Sequence, residues 1–581
     1  MVDSVIVTGT RAPMALRFVP ASVSMISPAQ LDQSGKVSLL QTISEQVPGV
    51  FLTQRGVIGF GINNPAGTIS IRGIGGSPNT QVLVMIDGVP QFMGLFGHPF
   101  PDAYLSEEAR SVEVIRGPAS VLYGTNAMGG VINILSKRES ARGVRINGAS
   151  SYGTFGTQEY NASLGYGGGN FDILVSAGHD ETAGHRAYSG YRVNSGYLNT
   201  GCQLTENLNL RTSGNINKFT TYDPGPDSSP KVDNWVEVLR ANASLAIDNK
   251  FGSTDGAARF FYNYGDHDVF DGFHSIDRNI GVVVYENIHA IEGNTSTIGI
   301  DYRHYGGMAL NNITHTDFGK HFADESAVYA LVEQLLMNRI MLDAGLRVQH
   351  SSVYGFEPVP QGGVAWSVTG ASIVKVNISK GFRSPTIREL YLFPSPNPDL
   401  RPERLWNYEI GLLQNISGIA GFEVTGFLAK GSNLILAEGM YPNLRLENSG
   451  SFTHKGLEFS GHCVLTKDIS IDGNYSFTDP GNQTYATPKH KFYAGCSYTH
   501  KALSLRLAVH RIAELYGSDF NKNRLPNYTL LGARVGYSLR DYAVVFVSGE
   551  NLLNVAYQTI SDYPMPGRTL AVGIRLKLFV D

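Results

Sequence analysis

Two arginines stand where the surrounding side chains are apolar or absent. Arg72 sits in Ile69-Ser70-Ile71-Arg72-Gly73 and Arg116 in Ile115-Arg116-Gly117-Pro118. A guanidinium withdrawn from water is costly unless a carboxylate meets it, so each calls for an acidic partner elsewhere in the chain. A second concentration of chemistry is Asp266, His267, Asp268, Asp271, His274 and Asp277, in a stretch that reads as a loop. A further histidine, His98, lies in Phe92-Met93-Gly94-Leu95-Phe96-Gly97-His98-Pro99-Phe100. Histidines with carboxylates can bind a metal, and histidine can ligate haem iron; the alternative is solvated loop residues with ordinary Asp-Gly turn chemistry. No nucleophile with its base and no catalytic acid pair is evident, and no glycine loop leads from a strand into a helix to cradle phosphate, so an enzyme is not expected.

The elements that must position these groups fall into two stretches. Up to Arg138 the signals are mixed: Leu39, Leu40, Ile43 and Val47 recur at helical spacing before Pro48-Gly49, while Gln81 to Ile86 and Ser111 to Ile115 read as short strands ended by Asp87-Gly88 and Gly117-Pro118. Beyond Arg138 the pattern becomes alternation. Val374, Val376 and Ile378 share one face against Lys375, Asn377 and Ser379, with Ile373 out of phase; Leu503, Leu505, Leu507 and Val509 oppose Ser504, Arg506 and Ala508. Short connectors such as Leu204 to Leu208, Leu336 to Ile340 and Leu465 to Ile469 alternate with longer polar stretches at 223–233, 265–279 and 393–403.

Composition is compatible with many strands: 581 residues, 17% charged, 66 Gly, 29 Tyr and a net charge of -4, which gives no electrostatic reason to expect a nucleic acid. No apolar run reaches the 18 or so residues of a membrane helix, but a membrane barrel escapes that test because only alternate side chains of short strands meet lipid. No basic-then-apolar leader follows Met1, so a mature chain behind an added initiator is expected. Cys202, Cys463 and Cys496 show no metal-ligand spacing. Cys463 and Cys496 fall on strands separated by a third, roughly 9 to 10 Å apart and too far for a disulfide, so three free thiols are expected.

Taken in order, Ile69 to Gly73, Asp87-Gly88, Ile115 to Pro118, Tyr123-Gly124 and Gly129-Gly130-Val131-Ile132-Asn133-Ile134 resemble the plug of TonB-dependent outer-membrane receptors, and the resemblance extends over essentially the whole chain. It implies a membrane β-barrel of about 22 antiparallel strands with an N-terminal α+β plug in its lumen: residues 1–138 as TonB box and plug, 139–581 as barrel. Roughly 440 residues at about 20 per strand and loop accommodate that number, leaving compact outer loops. The segment Asp3-Ser4-Val5-Ile6-Val7-Thr8 resembles the TonB box, a mobile strand that TonB grips by edge pairing. By the same resemblance Arg72 and Arg116 pair with barrel-wall glutamates in Tyr408-Glu409-Ile410-Gly411 and Gly456-Leu457-Glu458, forming a latch of Arg72, Arg116, Glu409 and Glu458.

Gly381-Phe382-Arg383-Ser384-Pro385-Thr386 and Asn397 to Glu403 resemble a paired barrel motif of these receptors, and Val547 to Asn554 with Thr569 to Phe579 resemble the barrel end. No histidine lies between Arg383 and Asn397, where the haem-uptake branch carries one. The resemblance implies active import of a scarce nutrient across the outer membrane of a Gram-negative bacterium. The expected cargo is an iron complex, either a ferric siderophore or haem, with cobalamin and a metal ion as alternatives. Candidate ligand residues are His98, Met93, His267, Asp271 and His274, and no covalent cofactor is expected. The partners implied are TonB with its inner-membrane motor proteins and outer-membrane lipid, with an accessory surface lipoprotein left open.

Overall fold

Period-two alternation buries one face of a strand and exposes the other, and a long series of such strands leaves no free edge only by closing on itself. The computed structural model describes residues 6–7, 11–12, 14–60, 66–75, 79–139, 141–439 and 443–580. Over these residues the chain forms a closed antiparallel barrel of 22 strands, from Gly143–Gly153 to Thr569–Val580, each paired with its sequence neighbour. The first strand closes on the last, with Gly153 opposite Ala571 and Val144 opposite Val580. No described helix is long and apolar enough to cross a membrane.

The two faces of the wall separate as the alternation requires. Ile410 is 60% exposed while its neighbour Glu409 is 7% exposed, so apolar side chains point out and polar ones in. Val376 and Ile378 likewise face out, and Lys375, Asn377 and Ser379 face in. Ile373, out of phase by sequence, is buried with Met341, Ala365 and Leu413. Connections at one rim are short, as at 206–207, 252–253 and 501–502; at the other rim they reach 384–402 and 551–568.

One expected loop is absent. Residues 265–279 belong almost wholly to two paired strands, Thr254–Val269 and Phe273–Ile288, with only a tight turn between them. Asp and His in succession read as loop chemistry, but in a barrel strand they simply alternate between the two faces. The cysteines are all free; Cys463 and Cys496 both lie opposite Ile471, on strands two spacings apart.

The lumen is filled by an α+β plug. Its sheet has the order Ser22–Ile26, Ala109–Arg116, Gly130–Ser136, Val82–Ile86, Val89–Gln91, with only the third and fourth strands parallel. Helix Pro28–Ser34 begins with a capping box between Ser27 and Gln30 and ends at Gly35 in the left-handed conformation. Helix Leu39–Gln46 buries Leu39, Leu40 and Ile43 against the sheet residues Val112, Val114 and Ile132. The short pair Val50–Leu52 and Ile69–Ile71 carries the chain from this helix to Arg72.

Candidate functional site

Arg72 leaves its strand with φ 56°, followed by Gly73 at 77°. That reversal lets the Arg72 amide donate to the Gly49 carbonyl at 2.8 Å and sends its side chain to the wall. There strands Glu403–Ile416, Ala420–Glu438 and Arg445–Val464 present Glu409, Glu423 and Glu458 from adjacent inward rows. Arg72 Nη1 donates to Glu409 Oε2 at 2.7 Å, while Nε and Nη2 engage the two oxygens of Glu458 at 3.1 and 2.8 Å. Arg116 Nη1 donates to Glu458 Oε2 at 2.5 Å, and its Nη2 lies 3.7 Å from Glu423.

Arg72 is 0% exposed and its guanidinium carbon stands 4.5 Å from the centroid of the Phe427 ring. Burial by itself would lower its pKa; Glu409 and Glu458 reverse that and hold it above the ordinary arginine value. The bidentate geometry is the form in which a buried arginine–carboxylate pair recovers its desolvation cost. The approach is close: Gly49 has φ 72°, and a Cβ there would collide with the Glu458 carboxylate.

All four residues singled out as a latch therefore meet in one buried cluster. Ser22, Glu423 and Phe427 were not singled out; the Ser22 hydroxyl donates to Glu409. Nor was Lys491, which donates to the carbonyls of Val47 and Val50 at 2.6 and 2.8 Å. The only signal of Glu423, Phe427 and Lys491 was inward phase on a barrel strand, which says nothing of which strand lies beside which plug residue, and Ser22 is one small polar residue in a plug strand.

A second charged cluster lies towards the rim with long connections. Arg383 and Glu403 are opposite one another in the ladder, and Arg383 is bidentate both to Glu403, at 2.7 and 2.8 Å, and to Glu389, at 2.9 and 3.1 Å. Glu389 also completes the capping box of helix Ile387–Tyr391 with Thr386, and Gln81 of the plug donates to Glu403 at 2.9 Å. The two sequence motifs around Arg383 and Glu403 are thus the two sides of one ion-paired brace.

Above it, plug residues 92–100 form a tight apex. Gly94 donates to Asp277 Oδ1 at 2.7 Å, and a Cβ at Gly94 would lie 2.7 Å from the carbonyl oxygens of both Arg278 and Gly306. Phe96 meets Phe273 and Phe393 with ring centroids 5.9 and 6.3 Å apart, and Phe318 lies 5.0 Å from Phe393. His98 is half-buried, 6.1 Å from the ring of Phe96 and 5.0 Å from that of Phe100, with Nδ1 3.0 Å from the Pro99 carbonyl. Burial lowers the His98 pKa, against the opposing Pro99 contact, so the imidazole is neutral at physiological pH.

The other ligand candidates are not in this mouth. His267 is 0% exposed, stacked on Phe100 at 5.0 Å and placed 3.6 Å from Asp277, which also binds Arg240 at 2.7 Å. It props the apex from behind and is closed to solvent. His274 points outward on the barrel surface, 2.9 Å from Asp268 and 3.7 Å from Asp266. Met93 is 2% exposed in the plug core. Asp271 is exposed in the tight turn, where its carboxylate caps the Phe273 amide at 3.0 Å. For the two histidines period two is the reason, since the paired strands put His267 on the inner face and His274 on the outer one. Asp3, Ser4, Val5 and Thr8 lie outside the described residues; Ile6–Val7 pairs antiparallel with Met14–Ala15.

Comparisons with known proteins agree with this architecture. The family model described as "TonB dependent receptor-like, beta-barrel" matches residues 133–552, and "TonB-dependent Receptor Plug Domain" matches residues 15–131. Among relatives, the vitamin B12 transporter BtuB of Vibrio vulnificus is 26% identical over 97% of this chain and 94% of its own. The iron-regulated outer membrane virulence protein of Vibrio cholerae is 23% identical over 95% and 91%. Among solved structures, the siderophore receptor PirA from Acinetobacter baumannii superposes with a TM-score of 0.82 at 15% identity, covering 96% of this chain and 98% of that one. The ferric enterobactin receptor PfeA from Pseudomonas aeruginosa gives 0.80 at 17%, covering 96% and 99%. With a matched plug seated in a matched barrel that fills most of the chain, the protein belongs to the TonB-dependent receptors, transporters of the outer membrane that take a small-molecule ligand and act with TonB.

Proposed function

We propose that this receptor imports an iron complex, a ferric siderophore or haem. The aromatic floor at the plug apex carries the reading: Phe96, Phe273, Phe318 and Phe393 converge with His98 at the rim with long connections. Flat, conjugated chelators stack on such rings. For haem, His98 is the ligand candidate, because Nδ1 facing the Pro99 carbonyl leaves Nε2 as the coordinating nitrogen of a neutral ring. The names of the relatives regulated by iron and of the siderophore receptors support the same cargo class. Cobalamin is the second reading, favoured by the BtuB relative, whose identity of 26% exceeds the 23% of the iron-regulated protein.

In this reading residues 1–138 are TonB box and plug, and 139–581 the barrel. Cargo on the floor biases exposure of Asp3 to Thr8, where TonB replaces Met14–Ala15 as the pairing strand of Ile6–Val7. Arg72, Arg116, Glu409 and Glu458 form the latch that the motor-driven pull must break.

The test is titration of the purified receptor with haemin, a ferric siderophore panel and cobalamin, read by aromatic fluorescence and the haemin visible band. The Phe96→Ala/Phe393→Ala pair should weaken the iron complex about tenfold, as expected for two lost aromatic contacts. Saturable cobalamin binding with blank iron complexes would replace this reading with the second. Deleting residues 3 to 9 should abolish uptake and leave binding intact.

A further inference from the structure

Along most of the wall the plug is locked by direct bonds: Asn217 donates to the Ala103 carbonyl at 3.1 Å, Asn263 to the Pro90 carbonyl at 2.8 Å, and the latch fixes the side around Glu458. The wall from Leu503 to Thr569 is bonded to the plug by Lys36 to Glu550 at 2.9 Å and by Gln54 to Thr559, but open space remains beside these contacts. Between it and the plug helices lies a cavity of about 190 Å³ lined by polar groups such as Lys36, Glu45 and Glu550 and by apolar ones such as Phe51, Leu52 and Leu530. A second, of about 280 Å³, reaches the short-turn rim at Asp541 and Tyr542. The two share Gln33, Arg506, Arg534 and Phe546 as a common partition.

That partition is a thin one. Arg534 lies flat on Phe546, its guanidinium carbon 3.7 Å from the ring centroid. Among the described residues it forms no ion pair, whereas its neighbours do: Lys36 to Glu45 and Glu550 at 3.1 and 2.9 Å, Arg506 to Asp472 at 2.6 Å, and Arg575 to Asp32 at 3.4 Å. Across from it is Gly35, where a Cβ would collide with the Arg534 guanidinium. Above the cavity, Gln54 and Thr559 exchange hydrogen bonds of 2.8 and 2.6 Å and close it towards the mouth. The wall is also lowest here: Ala543–Glu550 has 8 residues, whereas Gly143–Gly153, among the shortest of the other barrel strands, has 11.

We propose that the solute path through this receptor runs along this wall, as a route already formed on both sides of an Arg534–Phe546 gate and capped by the Gln54–Thr559 contact. A cation stacked on a ring can swing aside without stranding a carboxylate, which the paired arginines elsewhere cannot do. The route is amphipathic: Lys36, Glu45 and Glu550 line it together with Phe51, Leu52 and Leu530. The proposal rests on transport and not on the identity of the cargo.

The test is cargo-independent. The full chain in a planar bilayer with potassium chloride should give discrete current steps for Arg534→Ala/Phe546→Ala/Thr559→Ala, which removes both the gate and the cap, about fivefold or more above wild type, since a plugged barrel conducts only where a wet path is continuous. An ion-paired stack on the far wall, Arg347 over Tyr329 at 5.5 Å and bonded to Asp301 at 2.7 Å, supplies the control: Arg347→Ala/Tyr329→Ala should give no steps. Steps of equal size in both variants, or none in the first, would overturn the proposal. Should the gate variant not insert, single cysteines in an otherwise intact chain lacking Cys202, Cys463 and Cys496 decide it. Ser548→Cys and Ala508→Cys should react with a charged methanethiosulfonate within about tenfold of Thr499→Cys at the rim, and Asn217→Cys and Asn263→Cys about 100-fold more slowly, as protection by packing dictates. Equal rates at all five positions would equally refute it.

Discussion

Arg72→Met removes the centre of the latch without changing its volume greatly. Three hydrogen bonds disappear and Glu409 keeps only the Ser22 hydroxyl and the Asn407 amide, the latter at 3.3 Å, while Glu458 retains Arg116. Breaking one partner of a buried ion pair costs about 3–5 kcal/mol, and the surviving Arg116–Glu458 bond argues for about 3. At 1.36 kcal/mol per decade that is roughly a 150-fold rise in the population of opened plug. The readout is amide hydrogen exchange under conditions where opening is in equilibrium. Val50–Leu52 and Ile69–Ile71, which carry Arg72, should exchange about 100-fold faster or more, while the barrel strands, each paired on both sides, stay unchanged. Adding Glu409→Gln to Arg72→Met should restore at least half of the protection, because the stranded charge is then gone. Exchange in the two short strands within about threefold of wild type would refute the assignment of Arg72 as a buried, stability-bearing group.

Gly94→Ala should displace the plug apex, because its Cβ meets two backbone carbonyls that cannot move aside; a loss of about 1–3 kcal/mol is expected, read as faster exchange of the amides from Met93 to Gly97. Burial pushes the Glu108 carboxyl up to about 7 against the hydrogen bond from Asn215, and its Oε1 has no hydrogen-bond partner. The folded plug therefore holds that proton more tightly than the unfolded chain: its contribution is complete below the unfolded value of about 4.5, declines as pH rises to about 7, and is lost above. Thermal scans between pH 4.5 and 7 should show this decline, and Glu108→Gln should flatten it. All three cysteines should react with a thiol reagent after unfolding without reductant, and reductant should leave the melting temperature unchanged.

Legibility followed the range of the interaction. The helix Leu39–Gln46 and the strands around Val82–Ile86 and Ala109–Arg116 were readable because apolar spacing and glycine or proline stops are local. Arg72 and Arg116 announced themselves by being charged in apolar company, but Glu423 and Lys491 did not, since each is one inward polar residue among many, nor did Ser22, a small polar residue in a plug strand. The misreading of 265–279 as a loop had a local cause too: a strand that crosses from membrane to rim carries turn-like residues, and only pairing across the ladder distinguishes it.

The sequence by itself determined that the chain alternates after Arg138, that its strands have one apolar and one polar face, and that buried arginines need acidic partners. These are consequences of backbone period and of solvation, which any short stretch reveals. Only the tertiary structure decided which strands face which plug elements: that His267 backs Phe100 while His98 lies half-buried beside Phe96, that Glu409 and Glu458 converge on Arg72, and that one wall stands off from the plug helices behind Arg534. Those relations depend on barrel closure and on how the plug is turned within it, set by the sum of many contacts between residues hundreds of positions apart.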